Sequence, residues 1–404
     1  MGKQIKSAGN RGKAVRSDCW VQIKLTETGG TKLNINSKVS TLYGDSIQKL
    51  VEQVLEFYDI KNAEVLLEDA GALPFILMAR METVIRRLGI DNGKSFLPDW
   101  QYPIPITYPD RLRRSRLYLP GDQPKLFINA GIHKGDGLIL DLEDSVSPAN
   151  KDSARILVRN ALRSVDFMGA ERMVRINQLP MGLEDLAEII PQKPHLILVP
   201  KVENPDQICE IDQRIDSILA QDKSAQNVYL MPILESALGI INAYPIAKSS
   251  ERIVALAIGL EDYTADIGTQ RTNEGKESYF ARSMLINAAR AAGIQAIDTV
   301  FSDVSDMDGL RESVIEAKSL GFDGKGCIHP RQIAVIHEAF APSTEEIEKA
   351  KRIVKAFDEA EKNGKGVVSL GTKMIDPPVV KRAVKTIELA VREGIIPVEW
   401  KNEE

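Results

Sequence analysis

Tyr229-Leu-Met-Pro-Ile-Leu-Glu235 and Ile253-Val-Ala-Leu-Ala-Ile-Gly-Leu-Glu-Asp262 are apolar runs that each close on an acid. Their hydrophobicity is continuous rather than alternating, as strands buried on both faces by flanking helices require. The two runs stand one βα repeat apart. As parallel neighbours in a barrel they would bring Glu235 and Asp262 out together at its C-terminal rim, where such barrels carry their chemistry. Two hard oxygen ligands with no histidine near them in sequence suit Mg2+ better than zinc.

Working outward, further strands are expected near Arg116-Leu-Tyr-Leu-Pro120, Gly137-Leu-Ile-Leu-Asp-Leu142, Arg172-Met-Val-Arg-Ile-Asn177, His195-Leu-Ile-Leu-Val-Pro200, Ala296-Ile-Asp-Thr-Val-Phe301 and 323–328, with helical patterns between them. A TIM-type (β/α)8 barrel is the economical reading, ahead of a doubly wound open sheet. Such a barrel takes about 250 residues. A chain of 404 residues therefore leaves room for a second, smaller module.

That module is expected at residues 1–90 as a small α+β domain, followed by a Pro-rich linker at 91–110 and the barrel with a C-terminal helical segment at 111–404. Alternation in Cys19-Trp-Val-Gln-Ile-Lys-Leu and Lys32-Leu-Asn-Ile-Asn predicts two strands around Gly29-Gly30. Ile47, Leu50, Val51, Val54, Leu55 and Tyr58 recur at helical spacing. Ala63-Glu-Val-Leu-Leu-Glu-Asp and Pro74-Phe-Ile-Leu-Met-Ala-Arg are expected as two more strands, and 81–88 as a short helix.

Hydrophobic residues at 43% and charged residues at 27% are ordinary for a globular protein with a real core. A net charge of -5 exerts no general pull on nucleic acid or an anionic membrane, so a small-molecule role is favoured. No stretch reaches roughly 18 consecutive apolar residues, and Met1-Gly-Lys-Gln-Ile-Lys-Ser7 has no apolar signal core, so a cytoplasmic protein is expected. Cys19, Cys209 and Cys327 lie too far apart for a disulfide framework or a metal cluster and read as reduced, non-catalytic thiols.

Polar residues gather where barrel strands should end: Asp141, Glu143, Asp144, Arg175, Asn177, Lys201, Glu203, Glu235, Asp262 and Asp298. A cation held by Glu235 and Asp262 leaves positions open for an α-keto or α-hydroxy acid, which chelates through its carboxylate and the adjacent oxygen. Arg175 offers a fixed fork of donors to a second carboxylate or a developing enolate. Gly259 permits close approach of the substrate carboxylate to the backbone. His329, in Cys327-Ile-His-Pro330, reads as structural rather than as a general base.

The segments Leu112-Arg-Arg-Ser-Arg-Leu-Tyr-Leu-Pro-Gly121, Leu140-Asp-Leu-Glu-Asp-Ser-Val146, Val174-Arg-Ile-Asn177, Val199-Pro-Lys-Val-Glu203, Ile233-Leu-Glu-Ser-Ala-Leu-Gly239, Gly259-Leu-Glu-Asp262 and Gly371-Thr-Lys-Met-Ile-Asp-Pro377 resemble the citrate lyase β-subunit family and its wider group of citramalyl-CoA and malyl-CoA lyases, over 111–395. The resemblance implies a Mg2+-dependent lyase on a TIM barrel, usually a homotrimer, that splits a 3-hydroxy-acyl thioester into an oxo acid and a shorter thioester. It implies Glu235 and Asp262 as metal ligands, Arg175 as the substrate arginine and Asp376 as the acid that protonates the thioester enolate, reaching a neighbouring subunit's site. Arg114, Glu143 and Lys201 also fall on family motifs, Arg114 and Lys201 as substrate contacts and Glu143 as catalytic. Read without the family, Asp376 before Pro377 and Pro378 is a helix N-cap.

Ser7-Ala-Gly9, Asn34-Ile-Asn-Ser-Lys-Val39, Tyr43-Gly-Asp-Ser-Ile47 and the stretch from Asp69-Ala-Gly to Arg80-Met-Glu82 resemble the citrate lyase acyl carrier protein over 3–89. That resemblance implies a phosphoribosyl-dephospho-CoA group on a serine near the start. Ser17 is the candidate, although it stands directly beside Asp18 where the carrier pattern spaces serine and aspartate by two. Arg11, Lys13 and Arg16 either contact the arm's phosphates or form a solvated face.

The reading that follows is a citryl-thioester lyase carrying its own acyl carrier, with a separate acyl-transferase subunit as a possible partner. The alternatives are a citramalyl-CoA or malyl-CoA lyase using free CoA thioesters, and a subunit whose first module serves assembly.

Overall fold

The computed structural model describes residues 5–221, 228–362, 368–370 and 373–402. Gly371 and Thr372 of the C-terminal motif, and the first four residues, lie outside the described residues.

The chain begins with strands β1 (Ile5–Gly9), β2 (Cys19–Leu25) and β3 (Thr31–Ser37), helix α1 (Ser40–Phe57), strand β4 (Ala63–Asp69) and helix α2 (Pro74–Arg87). The four strands form one sheet in the order β1-β2-β4-β3, with only β3 and β4 parallel. β1 was not anticipated; Gly9 ends it at a φ of +92°, where a Cβ would fall 2.0 Å from the Cys19 carbonyl oxygen. α1 buries Ile47, Val51, Val54 and Leu55 on one stripe, as its periodicity predicts.

The strand expected at Pro74 is instead the first half of α2. Every residue from Phe75 to Ile85 is buried, so the helix opens on a continuous apolar run, Phe75 to Ala79, in place of a periodic one. Pro74 occupies the first helical turn, where its missing N–H costs nothing. One face, Leu77, Met81, Val84, Ile85 and Leu88, joins the core of the small sheet.

Segment 91–110 has neither helix nor strand and is tied down by single bonds, including Thr107 Oγ1 to Glu171 and Gln101 N–H to the Arg163 carbonyl. Eight parallel strands then follow: β5 (Ser115–Pro120), β6 (Gly137–Asp141), β7 (Glu171–Arg175), β8 (Leu196–Val199), β9 (Tyr229–Leu234), β10 (Ala255–Ile258), β11 (Gln295–Asp298) and β12 (Gly324–Cys327). They close as a barrel, β12 pairing back onto β5 through Gly326 and Arg116. Ile139, Met173, Leu198, Met231, Ile233, Ala257 and Ile297 fill its interior.

The connecting helices are α3 (Lys151–Ser164), α4 (Met181–Ile189), α5 (Pro205–Leu219), α6 (Ala237–Ile241), α7 (Ala243–Ala247), α8 (Leu260–Asp266), α9 (Tyr279–Ala292), α10 (Met307–Leu320) and α11 (Arg331–Phe340). α5 starts at a reciprocal capping box between Asn204 and Gln207. The chain ends with α12 (Thr344–Lys362), the hairpin β13 (Val368–Leu370) and β14 (Lys373–Ile375), and α13 (Pro377–Arg392).

Compact packing divides the chain in two. One unit comprises Met1–Asp306 and Ala317–Ile333 and holds the small sheet and the barrel strands; the other comprises Met307–Glu316 and Ala334–Glu404. In the second, Ile347, Ala350, Ile353 and Val354 of α12 pack with Ala383, Ile387 and Ala390 of α13. Among the described residues no helix is long and apolar enough to cross a membrane.

Candidate active site

A cavity of about 450 Å3 opens at the C-terminal ends of the barrel strands. Glu235 follows β9 directly, and Asp262 lies in the first turn of α8 after β10; both line the cavity. Gly259 makes the pairing possible, because a Cβ there would stand 2.6 Å from Glu235 Oε2. The close approach that this glycine permits in the structure is therefore to the Glu235 carboxylate. Lys201 takes the left-handed conformation at φ +50° just past β8, from which its backbone N–H donates to Glu235 Oε1 at 3.1 Å and its Nζ to Asp262 Oδ1 at 3.2 Å.

Burial and the neighbouring Asp262 carboxylate push the Glu235 pKa up to about 8. Two acids facing each other with Glu235 only 6% exposed resist carrying both charges, and a divalent cation held by the pair would remove that conflict. The described residues form no cluster of three or more His, Cys, Asp or Glu side chains able to hold a metal. Two carboxylates with room for water and substrate oxygens fit Mg2+, which keeps several exchangeable ligands, and do not fit an all-protein zinc or calcium cage.

Arg175, at the end of β7, donates from Nε and Nη2 to Asp141 at 2.6 and 2.8 Å. Its Nη1 lies 2.8 Å from Glu143 and 3.4 Å from Asp144. These acids hold the guanidinium above its ordinary range, while the same arginine keeps Asp141 below the usual carboxylate range despite burial. Tyr118 lies beneath it, ring centre 5.2 Å from the guanidinium carbon. Glu143 also accepts from Gln178, and burial raises its pKa.

The other predicted residues fall elsewhere. Arg114 precedes β5 and pairs with Asp136 at 2.9 Å ahead of β6, at the N-terminal end of the barrel, away from the rim. The structure does not bring it to the cavity; one residue before the strand begins places it on the wrong end. Asp376 belongs to the second unit and caps α13, accepting from Val379 N–H at 3.2 Å. His329 accepts from Arg331 N–H within its own turn, a structural role. Ser17 sits on a bend at φ +53°, its N–H bonded to the Ala70 carbonyl. Arg11 stacks 4.3 Å over Trp20 and lies 3.7 Å from Glu68, its side chain still exposed.

Sequence reasoning missed Arg116 and Tyr118, which line the cavity from β5. Their signal was the alternation Arg116, Tyr118, Pro120 along one strand face. It also missed how the small module meets the barrel. Arg80 of α2 binds both oxygens of Asp18 at 3.0 and 2.9 Å and reaches Ser153 Oγ at 2.7 Å and the Asp122 carbonyl at 3.3 Å. Glu82 pairs with Arg159 of α3 at 2.7 Å, and Arg87 with Asp152 at 2.6 Å.

A closed parallel barrel with a paired-acid rim defines a metal-assisted enzyme of oxo- or hydroxy-acid chemistry. The HpcH/HpaI aldolase/citrate lyase profile matches residues 114–330, and the chain belongs to that family and is a carbon–carbon lyase. A second profile, the malonate decarboxylase delta subunit, an acyl carrier family, matches residues 8–88. The chain is 40% identical to the citrate lyase subunit beta of Leuconostoc mesenteroides subsp. cremoris over 72% of its length and 97% of that protein's. It is 34% identical to the mitochondrial citramalyl-CoA lyase of Homo sapiens over 69% of this chain and 85% of that one. The CitE protein of Mycobacterium tuberculosis, solved with magnesium, acetoacetate and coenzyme A, superposes with a TM-score of 0.58 at 30% identity, covering 69% of this chain and 98% of that one.

Proposed function

We propose that the protein is a Mg2+-dependent lyase that cleaves a citryl thioester to oxaloacetate and an acetyl thioester. The observation that carries this reading is the Glu235–Asp262 pair at the barrel rim, in a chain more similar to a citrate lyase β-subunit than to citramalyl-CoA lyase. When bound there, Mg2+ supplies Lewis-acid polarisation of the oxygens on the oxo-acid half.

The protein's own groups do the rest. As the hydroxyl proton passes to a carboxylate of the rim, the C–C bond breaks, its electron pair passing to the thioester as an enolate. Arg175, fixed by Asp141 and Glu143, presents a rigid cation to the charge that develops on the substrate. Lys201 steadies Asp262 and Glu235. Asp376 protonates the enolate carbon from a neighbouring subunit, in a homotrimer. An exposed apolar surface of Leu238, Ile241, Tyr244, Tyr279 and Phe280 on α6, α7 and α9 supports such self-association.

Ser17 carries a phosphoribosyl-dephospho-CoA arm, loaded with the help of a separate acyl-transferase subunit. In support, the Arg80 clasp fixes Asp18, next to Ser17, against Asp122 beyond the C-terminal end of β5, on the catalytic side of the barrel. An arm anchored there meets the site as an intramolecular substrate. The working compartment on this reading is the cytoplasm, in keeping with three free cysteines.

Release of oxaloacetate from citryl-CoA, followed by NADH oxidation with coupled malate dehydrogenase, tests the reading. Glu235→Ala and Asp262→Ala should each abolish Mg2+-dependent release in a protein that still folds; an unchanged rate removes that residue from the metal site. Intact mass of protein from its native host, mapped to Ser17, tests the arm. An unmodified, fully active sample turns the reading to free CoA thioesters.

A further inference from the structure

Arg116 is a cation in the cavity that the chemistry above does not use. It is 1% exposed and lines the cavity from β5, with Tyr118 and Pro120 above it on the same strand face. Its register partners on both sides are glycines, Gly137 on β6 and Gly326 on β12, and a Cβ at Gly137 would stand 3.5 Å from Arg116 Cγ. The guanidinium crosses the barrel to β9, where Nη1 stands 3.0 Å from Met231 Sδ, on the strand opposite β5 in the closed order.

That thioether is a weak acceptor, and Nε has no hydrogen-bond partner at all. Among the described residues no carboxylate pairs with Arg116. The other buried arginines are served differently. Arg80, Arg113 and Arg159 each pair with a buried acid. Arg172, likewise without a carboxylate, donates to the Leu162 and Gln192 carbonyls and does not line the cavity. Holding a lone guanidinium in a barrel interior is costly, and an apolar residue of the same volume would pack there more cheaply.

Arg175, the other cation that lines the cavity, and the cations near it are already engaged. Arg175 has three acids around it, Lys201 holds Asp262, and Lys325 with Arg282 holds Asp298. A citryl thioester has two free carboxylates. The one beside the hydroxyl belongs with the metal-binding pair, while the one on the acetate arm can meet, among the described residues, only the neutral donors of the lining, such as the Tyr118, Ser145 and Thr299 hydroxyls, or the one lining cation that no acid pairs, Arg116.

We infer that Arg116 is the specificity residue for that arm: it receives the carboxylate that becomes the distal carboxylate of oxaloacetate, and so selects dicarboxylic over monocarboxylic hydroxy and oxo acids. The inference rests on the citryl-thioester reading for the identity of the arm, but its test is binding rather than turnover.

The full-length protein with saturating Mg2+ is titrated calorimetrically with L-malate and with L-lactate, which differ by that one carboxylate. Malate should bind at least about 30-fold more tightly, as expected for one forked, charge-assisted pair. In Arg116→Met the ratio should fall to near one through loss of malate binding alone, while the ligand-free protein melts at the same or a higher temperature. Arg116→Lys, which keeps the charge without the fork and guards against a folding failure of the first variant, should retain only a few-fold preference. A wild-type protein without preference overturns the inference, as does a preference unchanged in both variants or an equal loss of both ligands. If the malate preference depends on Arg116 while citryl-CoA is not cleaved, the function reading falls and the carboxylate receptor stands.

Discussion

Glu235 combines two demands that conflict until a cation arrives. Its carboxyl is buried against Asp262 and titrates near 8, so at neutral pH the metal-free site holds a proton that Mg2+ must displace. Below about pH 8 the apparent Mg2+ affinity should therefore fall by roughly tenfold per pH unit, the slope for one proton released. Calorimetric Mg2+ titrations at pH 6, 7 and 8 measure it, and a flat profile removes Glu235 as the displaced acid. At this scale the sequence was readable where an acid closes an apolar run, as Glu235 does. It was unreadable for Arg114 and Arg116, two residues apart: the first falls just outside β5 and pairs with Asp136, whereas the second points inward. Only the strand's starting residue separates those fates, and sequence patterns place such boundaries poorly.

Among the elements, α2 departs most from its sequence pattern. It is wedged between the small sheet and α3, so both of its faces are apolar or internally paired, and neither helical nor strand periodicity survives in its sequence. What it holds is charge: Arg80 with Asp18, and Glu82 with Arg159. Removing one partner leaves the other charge buried and alone, so Arg80→Ala should destabilise the protein by about 3–5 kcal/mol. Urea unfolding followed by tryptophan fluorescence reports the loss, and a change below about 1 kcal/mol would mean that water already reaches Asp18. The strands of the barrel were legible because continuous apolar runs recur at βα intervals, whereas this interface was not, since a salt bridge between residues 18 and 80 leaves no local pattern.

The whole molecule reads from its sequence as a barrel with a small module before it, and the structure has that architecture. Long-range burial added what no sequence pattern reveals, as at His195 before β8. It is 1% exposed and desolvation pushes its pKa down to about 4. A histidine whose folded pKa is lowered stays neutral when folded and charges on unfolding, so its contribution is full above pH 6.5 and lost as pH falls toward 4. The loss over that window is about 3 kcal/mol from this group. Urea midpoints at pH 7 and 4.5 should differ more in the wild type than in His195→Asn, and equal differences would assign the acid sensitivity to other groups.

The central claim is that this barrel cleaves a citryl thioester, and the most direct measurement is kcat/KM of the full chain with Mg2+ for citryl-CoA and for citramalyl-CoA, reading oxaloacetate and pyruvate respectively. The account predicts clear preference for citryl-CoA, lost on chelation of the metal; faster cleavage of citramalyl-CoA, or cleavage of either substrate that survives chelation, would contradict it.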